Sequence, residues 1–143
     1  MKKTVGVVCL FLMIGTLISC SSGLTEKEDI IKLFDKNETL FIEAVQTKNF
    51  ERVENIRGIQ SVTVSEYPDY IDFSCGGYGM GSQTGYYGFF YSPDDNVTAV
   101  DVAGPRDELV EDGNGYRWEE KNGDNIYYVE QIGDHFFYYE AHF

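Results

Sequence analysis

NIYYVEQIGDHFFYYEAH, at residues 125–142, is the part of this chain that says most about its fold. Aromatic and β-branched residues fill both of its arms, and the pair Gly133-Asp134 between them has turn chemistry. Two strands joined by so short a connection lie antiparallel, because a parallel pair needs a crossover of a dozen or more residues. The stretch therefore predicts a β-hairpin with strands at residues 125–132 and 135–142.

The same strand-like pattern extends upstream as far as Ile59. It predicts five further strands, at residues 62–65, 70–75, 86–91, 98–102 and 116–119. The breaks between them are rich in Asp, Asn and Gly, as in Pro93-Asp94-Asp95-Asn96, Gly113-Asn114-Gly115 and Asn122-Gly123. Breaks of this length leave no room for crossover helices, so the pattern predicts a meandering antiparallel sheet of about six to seven strands.

A long helix is predicted before the sheet. Thr25-Glu26-Lys27-Glu28 has the pattern of a capping box, in which the Thr25 hydroxyl and the Glu28 carboxylate bond to free amides of the first turn. Apolar residues then recur at helical spacing, Asn49 is expected to end the helix, and one or two further turns are expected before Gly58. The expected fold is α+β, with one long amphipathic N-terminal helix packed on the sheet, in a shape similar to cystatin-like or NTF2-like domains.

The first twenty residues indicate export from the cytoplasm. Lys2 and Lys3 precede an uncharged, largely apolar run over residues 4–18, which is shorter than the ~20 apolar residues that span a bilayer. This pattern predicts a signal peptide at residues 1–19. The sequence LISC that closes it resembles the lipobox of bacterial lipoproteins. The resemblance implies cleavage between Ser19 and Cys20, and acylation of the Cys20 thiol.

Such an anchor predicts a domain organisation and a location. Residues 20–24 would form a lipidated tether, because Ser21, Ser22 and Gly23 are small and flexible. Residues 25–143 are long enough to bury one core, so a single globular domain is expected. Two or more acyl chains hold a protein stably to a lipid bilayer. The expected location is therefore the extracytoplasmic face of the cell membrane.

The net charge of the chain limits the classes of partner that it can bind. The formal net charge is −13, and loss of Lys2 and Lys3 leaves 9 basic against 24 acidic side chains, or −15. A surface of this sign repels phosphate backbones and anionic headgroups, which argues against nucleic acid as a partner. A soluble solvated surface, cation binding or a basic protein partner all remain compatible with the charge.

The segment Cys75-Gly76-Gly77-Tyr78-Gly79-Met80-Gly81 allows three interpretations. Strand alternation places Cys75 on the core side with Ile71 and Phe73, which favours a buried thiol over a nucleophile. A phosphate-binding loop needs a helix after its glycines, and a strand is predicted there instead. The glycines therefore predict a wide, flexible hairpin loop at residues 76–85, which could serve in recognition.

Metal, cofactor and dyad chemistry have little support in the sequence. His135 and His142 are seven positions apart on one predicted strand, so they are expected on opposite faces. One thiol and two separated imidazoles fit neither a zinc site nor a Cys-His dyad. The acidic turns do not have the spacing of an EF-hand. No metal, no cofactor and no catalytic residue are assigned.

Aromatic residues are the most unusual feature of the predicted domain. Eleven tyrosines, six phenylalanines and one tryptophan lie in the 77 residues from 67 to 143. One explanation is a sheet covered on both faces. The other is an exposed aromatic surface that engages a protein or a glycan, since tyrosine combines an apolar ring with a polar hydroxyl. The candidate binding surface comprises Tyr78, Tyr86, Tyr87, Tyr91 and Trp118.

Two stretches, CGGYGMGSQTGYYGFFYSPDDN (residues 75–96) and DGNGYRWEEKNGDNIYYVEQIGDHFFYYEAHF (residues 112–143), are similar to a group of small predicted lipoproteins of Gram-positive bacteria. The segment FIEAVQTKNFERVENI, residues 41–56, also resembles the first helix of NTF2-like lipoprotein domains. The resemblance implies location in an envelope, with a preference for a one-membrane host. It brings no catalytic residue to this chain.

These observations predict a membrane-anchored binding module, with an immunity-type or inhibitor lipoprotein as a specific version. One alternative is a small envelope hydrolase that uses carboxylates, such as the pair Glu119 and Glu120 or the pair Glu130 and Glu140, and one version of it also uses Cys75. Another is a structural envelope component. The sequence leaves the ligand and the oligomeric state open.

Overall fold

The structure is a computed structural model that describes residues 22–80, 83–102 and 108–143, apart from the side chains of Ser22 and Met80. The predicted signal peptide, its cleavage site at Ser19 and Cys20, and the acylation site at Cys20 lie outside the described residues. The helices are α1 (Lys27–Thr47) and α2 (Glu51–Glu54). The strands are β1 (Ser22–Gly23), β2 (Ser61–Glu66), β3 (Asp69–Met80), β4 (Gln83–Tyr91), β5 (Val110–Asp112), β6 (Gly115–Glu119), β7 (Ile126–Gly133) and β8 (Phe136–His142).

The strands form one antiparallel sheet, in the order β1-β3-β4-β8-β7-β6-β5, with β2 paired to β3 beside β1. The hairpin predicted from residues 125–142 is β7 and β8, and it lies inside the sheet between β4 and β6. The α+β prediction is confirmed, and α1 is the long helix packed on the sheet.

The core between α1 and the sheet is built from phenylalanines. Phe34 and Phe41, two turns apart on α1, pack edge-on against Phe89 of β4, with ring centroids 5.4 and 4.8 Å apart. Phe73 of β3 stacks on Phe89 at 5.0 Å. All four side chains are buried. We call this face of the sheet the helix face, and it fixes the position of α1.

The opposite face of the sheet, here the second face, is covered by the segment 92–102. Ala99 and Val100 are buried there against the aromatic residues of the sheet. The Tyr127 hydroxyl donates a hydrogen bond to the Val97 carbonyl, at 2.7 Å. Covering both faces accounts for the aromatic excess, because each strand must supply apolar side chains on both sides.

The strand predicted at residues 98–102 is wrong. These residues form turns and irregular backbone across the second face. The local hydrogen bonds explain the difference, since Asn96 Oδ1 accepts from both the amide and the hydroxyl of Thr98. Side chains of this type offer the backbone an alternative to a strand ladder. The short strand β5 was missed.

The start of α1 also differs from the prediction. The N-cap residue is Glu26, and no side chain caps the helix, so the capping box of Thr25 and Glu28 is wrong. The first turn is held by the Glu26 carbonyl, which accepts from the amides of Asp29 and Ile30. The helix ends at Thr47, and Lys48 follows in the left-handed conformation with a φ of 54°.

The glycine-rich segment is strand rather than loop. β3 continues to Met80 and β4 begins at Gln83, so the wide loop predicted at residues 76–85 is wrong. The glycines allow another segment to approach closely, because a Cβ on Gly76 would lie 2.1 Å from the Leu24 carbonyl oxygen. That segment is β1, which pairs with Gly76 and Gly77. In the structure residues 22–24 therefore lie against the sheet, at the end of the tether predicted over residues 20–24.

Candidate binding cleft beside the N-terminus of the helix

α1 covers only part of the helix face, and a cleft opens where the helix begins. The cleft has a volume of about 390 Å³, which is within the range of small-molecule sites. We call it the helix-end cleft. It is lined by Lys27, Asp112, Gly113, Asn114, Arg117, Tyr128 and Glu140.

The strand register brings the floor of the helix-end cleft together. Arg117 on β6 is opposite Tyr128 on β7, and Tyr128 is opposite Glu140 on β8. Side chains directly opposite one another on adjacent strands share a face of the sheet. Three residues separated by 11 and 12 positions in the sequence therefore form one row.

Lys27 connects the helix to this floor. Its ammonium group forms an ion pair with Glu130 and lies 3.3 Å from the Tyr128 hydroxyl. The Tyr128 hydroxyl in turn donates to Glu130 Oε2 at 2.6 Å. Burial alone would raise the pKa of Glu130, but the hydrogen bonds from Lys27 and Tyr128 outweigh it, and the pKa is lowered. Glu130 is therefore ionised at neutral pH.

Arg117 forms the second charged group of the cleft. Its Nε donates to Asp112 Oδ2 at 2.6 Å, and its Nη1 lies 3.5 Å from Glu119. The guanidinium carbon lies 5.8 Å from the centre of the Tyr128 ring, and the Lys27 ammonium lies 4.8 Å from that centre. Two cations are thus held close to one aromatic ring, in the geometry of cation–π contacts.

Tyr138 is hydrogen-bonded to Glu140, as Tyr128 is to Glu130. The Tyr138 hydroxyl donates to Glu140 Oε2 at 2.8 Å, and the Tyr138 side chain is fully buried. Burial, with the nearby Glu140 charge, raises the pKa of Tyr138 well above its usual range. Burial also raises the pKa of Tyr87, to about 12. These hydroxyls remain protonated donors at any physiological pH.

The predicted aromatic surface does not exist as a unit. Trp118 and Tyr87 are buried, with 7% and 8% of their surface exposed, and Tyr91 is partly buried against Phe136. They are buried because segment 92–102 covers Trp118 on the second face, while Tyr87 and Tyr91 pack around the core on the helix face. The assignment of Trp118 and Tyr87 to an exposed surface is therefore wrong.

Tyr78 and Tyr86 are the exposed members of the predicted set, at 38% and 42%. They point to opposite faces of the sheet, because Gly77 is the partner of Tyr86 and Tyr78 follows Gly77 on β3. Tyr78 is hydrogen-bonded to His142 Nδ1 at 3.0 Å, whereas Tyr86 lies against Phe143. They cannot form one binding surface.

The groups considered for nucleophilic or metal chemistry lie apart. Cys75 is fully buried, and burial raises its pKa far above the usual range. His135 contacts Asp95 through Nδ1 at 2.8 Å, while His142 contacts Tyr78. Among the residues that the structure describes, no three His, Cys, Asp or Glu side chains are grouped so as to hold a metal ion.

Sequence reasoning considered Glu130 and Glu140 only as an acid–base pair and missed Lys27, Arg117 and Tyr128. A signal was present, since each glutamate follows a tyrosine by two positions, in YVE at 128–130 and YYE at 138–140. On a strand this spacing places the hydroxyl and the carboxylate on the same face.

Comparison of the chain with protein-family models, with curated proteins and with solved structures found no match. In the described part of the chain, no helix has both the length and the apolar character needed to cross a bilayer.

Proposed function

We propose that this protein is a lipoprotein of the extracytoplasmic membrane face, held there by acylated Cys20, and that it acts as a non-catalytic binding module. The anchor is supported by the sequence of residues 1–20. The position of Ser22 and Gly23 on the edge of the sheet also supports it, because the chain leading back to Cys20 starts from a peripheral strand.

The binding role is carried by one observation, the hydrogen-bonded network of the helix-end cleft. Glu130 forms an ion pair with Lys27 and accepts a hydrogen bond from Tyr128. Arg117 donates a hydrogen bond to Asp112. Groups fixed in this way lose little conformational entropy when a ligand binds, which favours affinity. The ionised Glu130 has no proton to donate, so it is unsuited to general acid catalysis at neutral pH.

The structure favours a protein over a glycan as the partner. Stacking on a sugar needs an open aromatic face, and the Tyr128 ring has Lys27 and Arg117 against it instead. A net charge of −15 after signal removal favours a partner with a basic surface and speeds association with it. An inhibitor or immunity-type role would use this complementarity.

The anchor is tested by mass spectrometry of the N-terminal peptide from membranes of cells that express the full chain. We expect diacylglyceryl-modified Cys20 at the new N-terminus, and the Cys20→Ser variant should leave the membrane fraction. An unmodified Cys20, or wild-type protein recovered from the cytosol, would refute the anchor.

The binding role is tested by photo-crosslinking in intact cells. A photoreactive amino acid at Asn114, on the rim of the helix-end cleft, should give a discrete protein adduct that disappears at high salt. The control position is Lys36, exposed on α1. Adducts of equal yield at both positions would contradict a specific site. A salt-resistant adduct would contradict the basic partner, and no adduct at either position would favour a structural component.

One observation favours the envelope hydrolase as a second candidate. Burial raises the pKa of Asp72, on the second face, to about 7, against the opposing effect of a hydrogen bond from Tyr139. A carboxyl that keeps its proton near neutral pH suits general acid catalysis. Chromogenic glycoside and ester substrates should then be cleaved by the wild type and not by Asp72→Asn. Equal turnover by both would exclude this role for Asp72.

A further inference from the structure

A second cavity, of about 230 Å³, lies on the second face at the edge of the sheet near β2. We call it the Asp72 cavity. Asp72, Tyr70 and Tyr139 lie at its buried end, while Asp101 and Tyr86 lie at its exposed rim together with hydroxyls of β2. It is large enough for several waters or one small organic group.

One oxygen of the Asp72 carboxyl group lacks a hydrogen-bond donor. Oδ1 is excluded from solvent and has no hydrogen-bond partner among the described residues, although the residue as a whole is only partly covered. The carboxyl accepts a hydrogen bond from the Tyr139 hydroxyl. A buried acceptor without a partner is unfavourable. Because Asp72 lines the cavity and is partly exposed, its carboxyl is a place where a donor in the cavity can bind.

The Asp72 cavity has acidic side chains and no basic side chain among the described residues that line it. Asp101, which is hydrogen-bonded to the Tyr70 hydroxyl, adds a second carboxylate at the rim and repels the charge of Asp72. No Lys, Arg or His of the described residues lines the cavity. The other titratable groups that act on Asp72 or on Tyr139 are Tyr127 and Cys75, and they carry no positive charge.

We infer that the Asp72 cavity binds an organic cation, a guanidinium or primary ammonium group whose N–H donors reach Asp72 and Asp101. Three tyrosines line the cavity, and aromatic walls favour cations of this kind. A Ca²⁺ ion needs six to eight oxygen ligands, and the described residues contain no cluster of three acidic, His or Cys side chains. The cation belongs either to a free small amine or to an Arg or Lys side chain of a partner.

This inference is independent of the anchor at Cys20 and of the helix-end cleft. It is also distinct from the hydrolase, because a general acid keeps its proton whereas a cation site gives it up. The proton of Asp72 and the organic cation compete for the same carboxyl. Binding must therefore strengthen as pH rises.

The experiment is a titration of the ¹⁵N-labelled domain, residues 21–143, monitored by NMR. The ligands are methylguanidinium and methylurea, a matched pair of nearly the same shape that differ in charge. Methylguanidinium should shift amide signals of β2 and β3, and its affinity should rise roughly thirtyfold between pH 5.5 and 8. It should fall at least tenfold in Asp72→Asn and stay within twofold in Asp112→Asn, which alters the helix-end cleft.

The source of the cation is resolved by a second pair of ligands. The peptide Gly-Arg-Gly, compared with Gly-citrulline-Gly, tests a side chain of a partner, and putrescine tests a free amine. A tighter affinity for the arginine peptide than for putrescine assigns the cavity to a protein partner, and the reverse assigns it to a small amine.

Three results would overturn the inference. Equal affinity for methylurea and methylguanidinium would show that charge is not recognised. Binding of Ca²⁺ that Asp72→Asn abolishes would assign the cavity to a metal ion. Arg106 lies outside the described residues, so the titration is repeated with Arg106→Ala. Binding seen only in that variant would overturn an external cation as the occupant, because the chain's own guanidinium would then fill the cavity.

Discussion

Tyrosine hydroxyls position the carboxylates of the helix-end cleft. Tyr128 holds Glu130 and Tyr138 holds Glu140, each through a hydrogen bond between residues two positions apart on one strand. Hydrogen bonds to charged groups contribute more than those between neutral groups, about 1.5–3 kcal/mol each. Tyr138 thus serves the site through its oxygen atom, since its ring is buried, whereas Tyr128 also contacts two cations with its ring.

The Lys27–Glu130 ion pair should make the free energy of unfolding depend on pH. Because the folded pKa of Glu130 is lowered, its contribution is present above the unfolded pKa near 4.5 and is lost as pH falls through the folded value. We expect Glu130→Gln to lower the free energy of unfolding by about 1 kcal/mol at pH 7, with little difference at pH 3. Urea denaturation measures both. The exposed Glu38→Gln is the control, and an equal loss at both pH values would contradict the assignment.

Asp72 should have the opposite effect on the pH dependence of the free energy of unfolding. A carboxyl whose folded pKa is raised, here to about 7, favours the folded state below its unfolded pKa, and this stability is lost as pH rises towards 7. Relative to wild type, Asp72→Asn should therefore become more stable between pH 4 and pH 8, by about 3 kcal/mol. Chemical denaturation across this range tests the sign, and parallel stability curves for the two proteins would refute it.

Cys75 should be unreactive in the folded domain. Its side chain is fully buried, and burial raises its pKa, so the thiolate that reacts with electrophiles is scarce. With Cys20 absent or acylated, labelling by a thiol-specific disulfide reagent at pH 8 should occur only as fast as the domain opens. Labelling in denaturant gives the reference rate. Fast labelling without denaturant would reopen the cysteine-dependent hydrolase.

The helices and strands with a clear periodic pattern of apolar residues could be predicted from the sequence. The hairpin β7–β8 and the helix α1 followed from strand and helix patterns over long stretches, and they were found in place. Residues 98–102 have the composition of a strand, yet Asn96 and the second face of the sheet hold them in turns. Packing partners decide such cases, and a local pattern does not contain them.

The candidate site also has features that a local sequence pattern does not contain. The exposure of Tyr78 and the burial of Trp118 depend on which segments cover each face, so composition alone could not separate them. The row of Arg117, Tyr128 and Glu140 depends on strand register. Asp72 carried a signal that was not used, because a charged residue between Ile71 and Phe73 of a predicted strand implies a special environment on the other face.

The pairing of β1 depends on the absence of a side chain at Gly76. In Gly76→Ala the new Cβ would lie 2.1 Å from the Leu24 carbonyl oxygen, which must then move. We expect a loss of about 1–3 kcal/mol in unfolding free energy and faster hydrogen exchange of the Leu24 amide, which bonds to the Cys75 carbonyl at 2.9 Å. Gly79→Ala is the control, since its closest contact is a Thr84 methyl at 3.1 Å. Unchanged exchange at Leu24 would contradict this role.

The proposed anchor at Cys20 and the direction of β1 would together fix how the domain is oriented on a membrane. β1 is antiparallel to β3, with Ser22 opposite Gly77, so Ser22 is the residue of β1 that lies nearer the end of the sheet where β3 ends and β4 begins. Cys20 precedes Ser22 by two residues. Two residues can span at most about 7 Å. Gln83 lies at that end, and the turn at Asp134 lies at the other, about 25 Å away along strands of this length.

If Cys20 is acylated, the end of the sheet at Gln83 should therefore lie close to the bilayer and the turn at Asp134 should point away. Acylated protein with Gln83→Cys or Asp134→Cys can be labelled with a fluorophore at the new thiol, because Cys75 is buried. In vesicles that carry headgroup spin-labelled lipid, quenching should be strong at position 83 and weak at position 134. Equal quenching at both positions would mean that residues 22–24 leave the sheet and let the domain tumble on its anchor. Strong quenching only at position 134 would invert the orientation that β1 imposes.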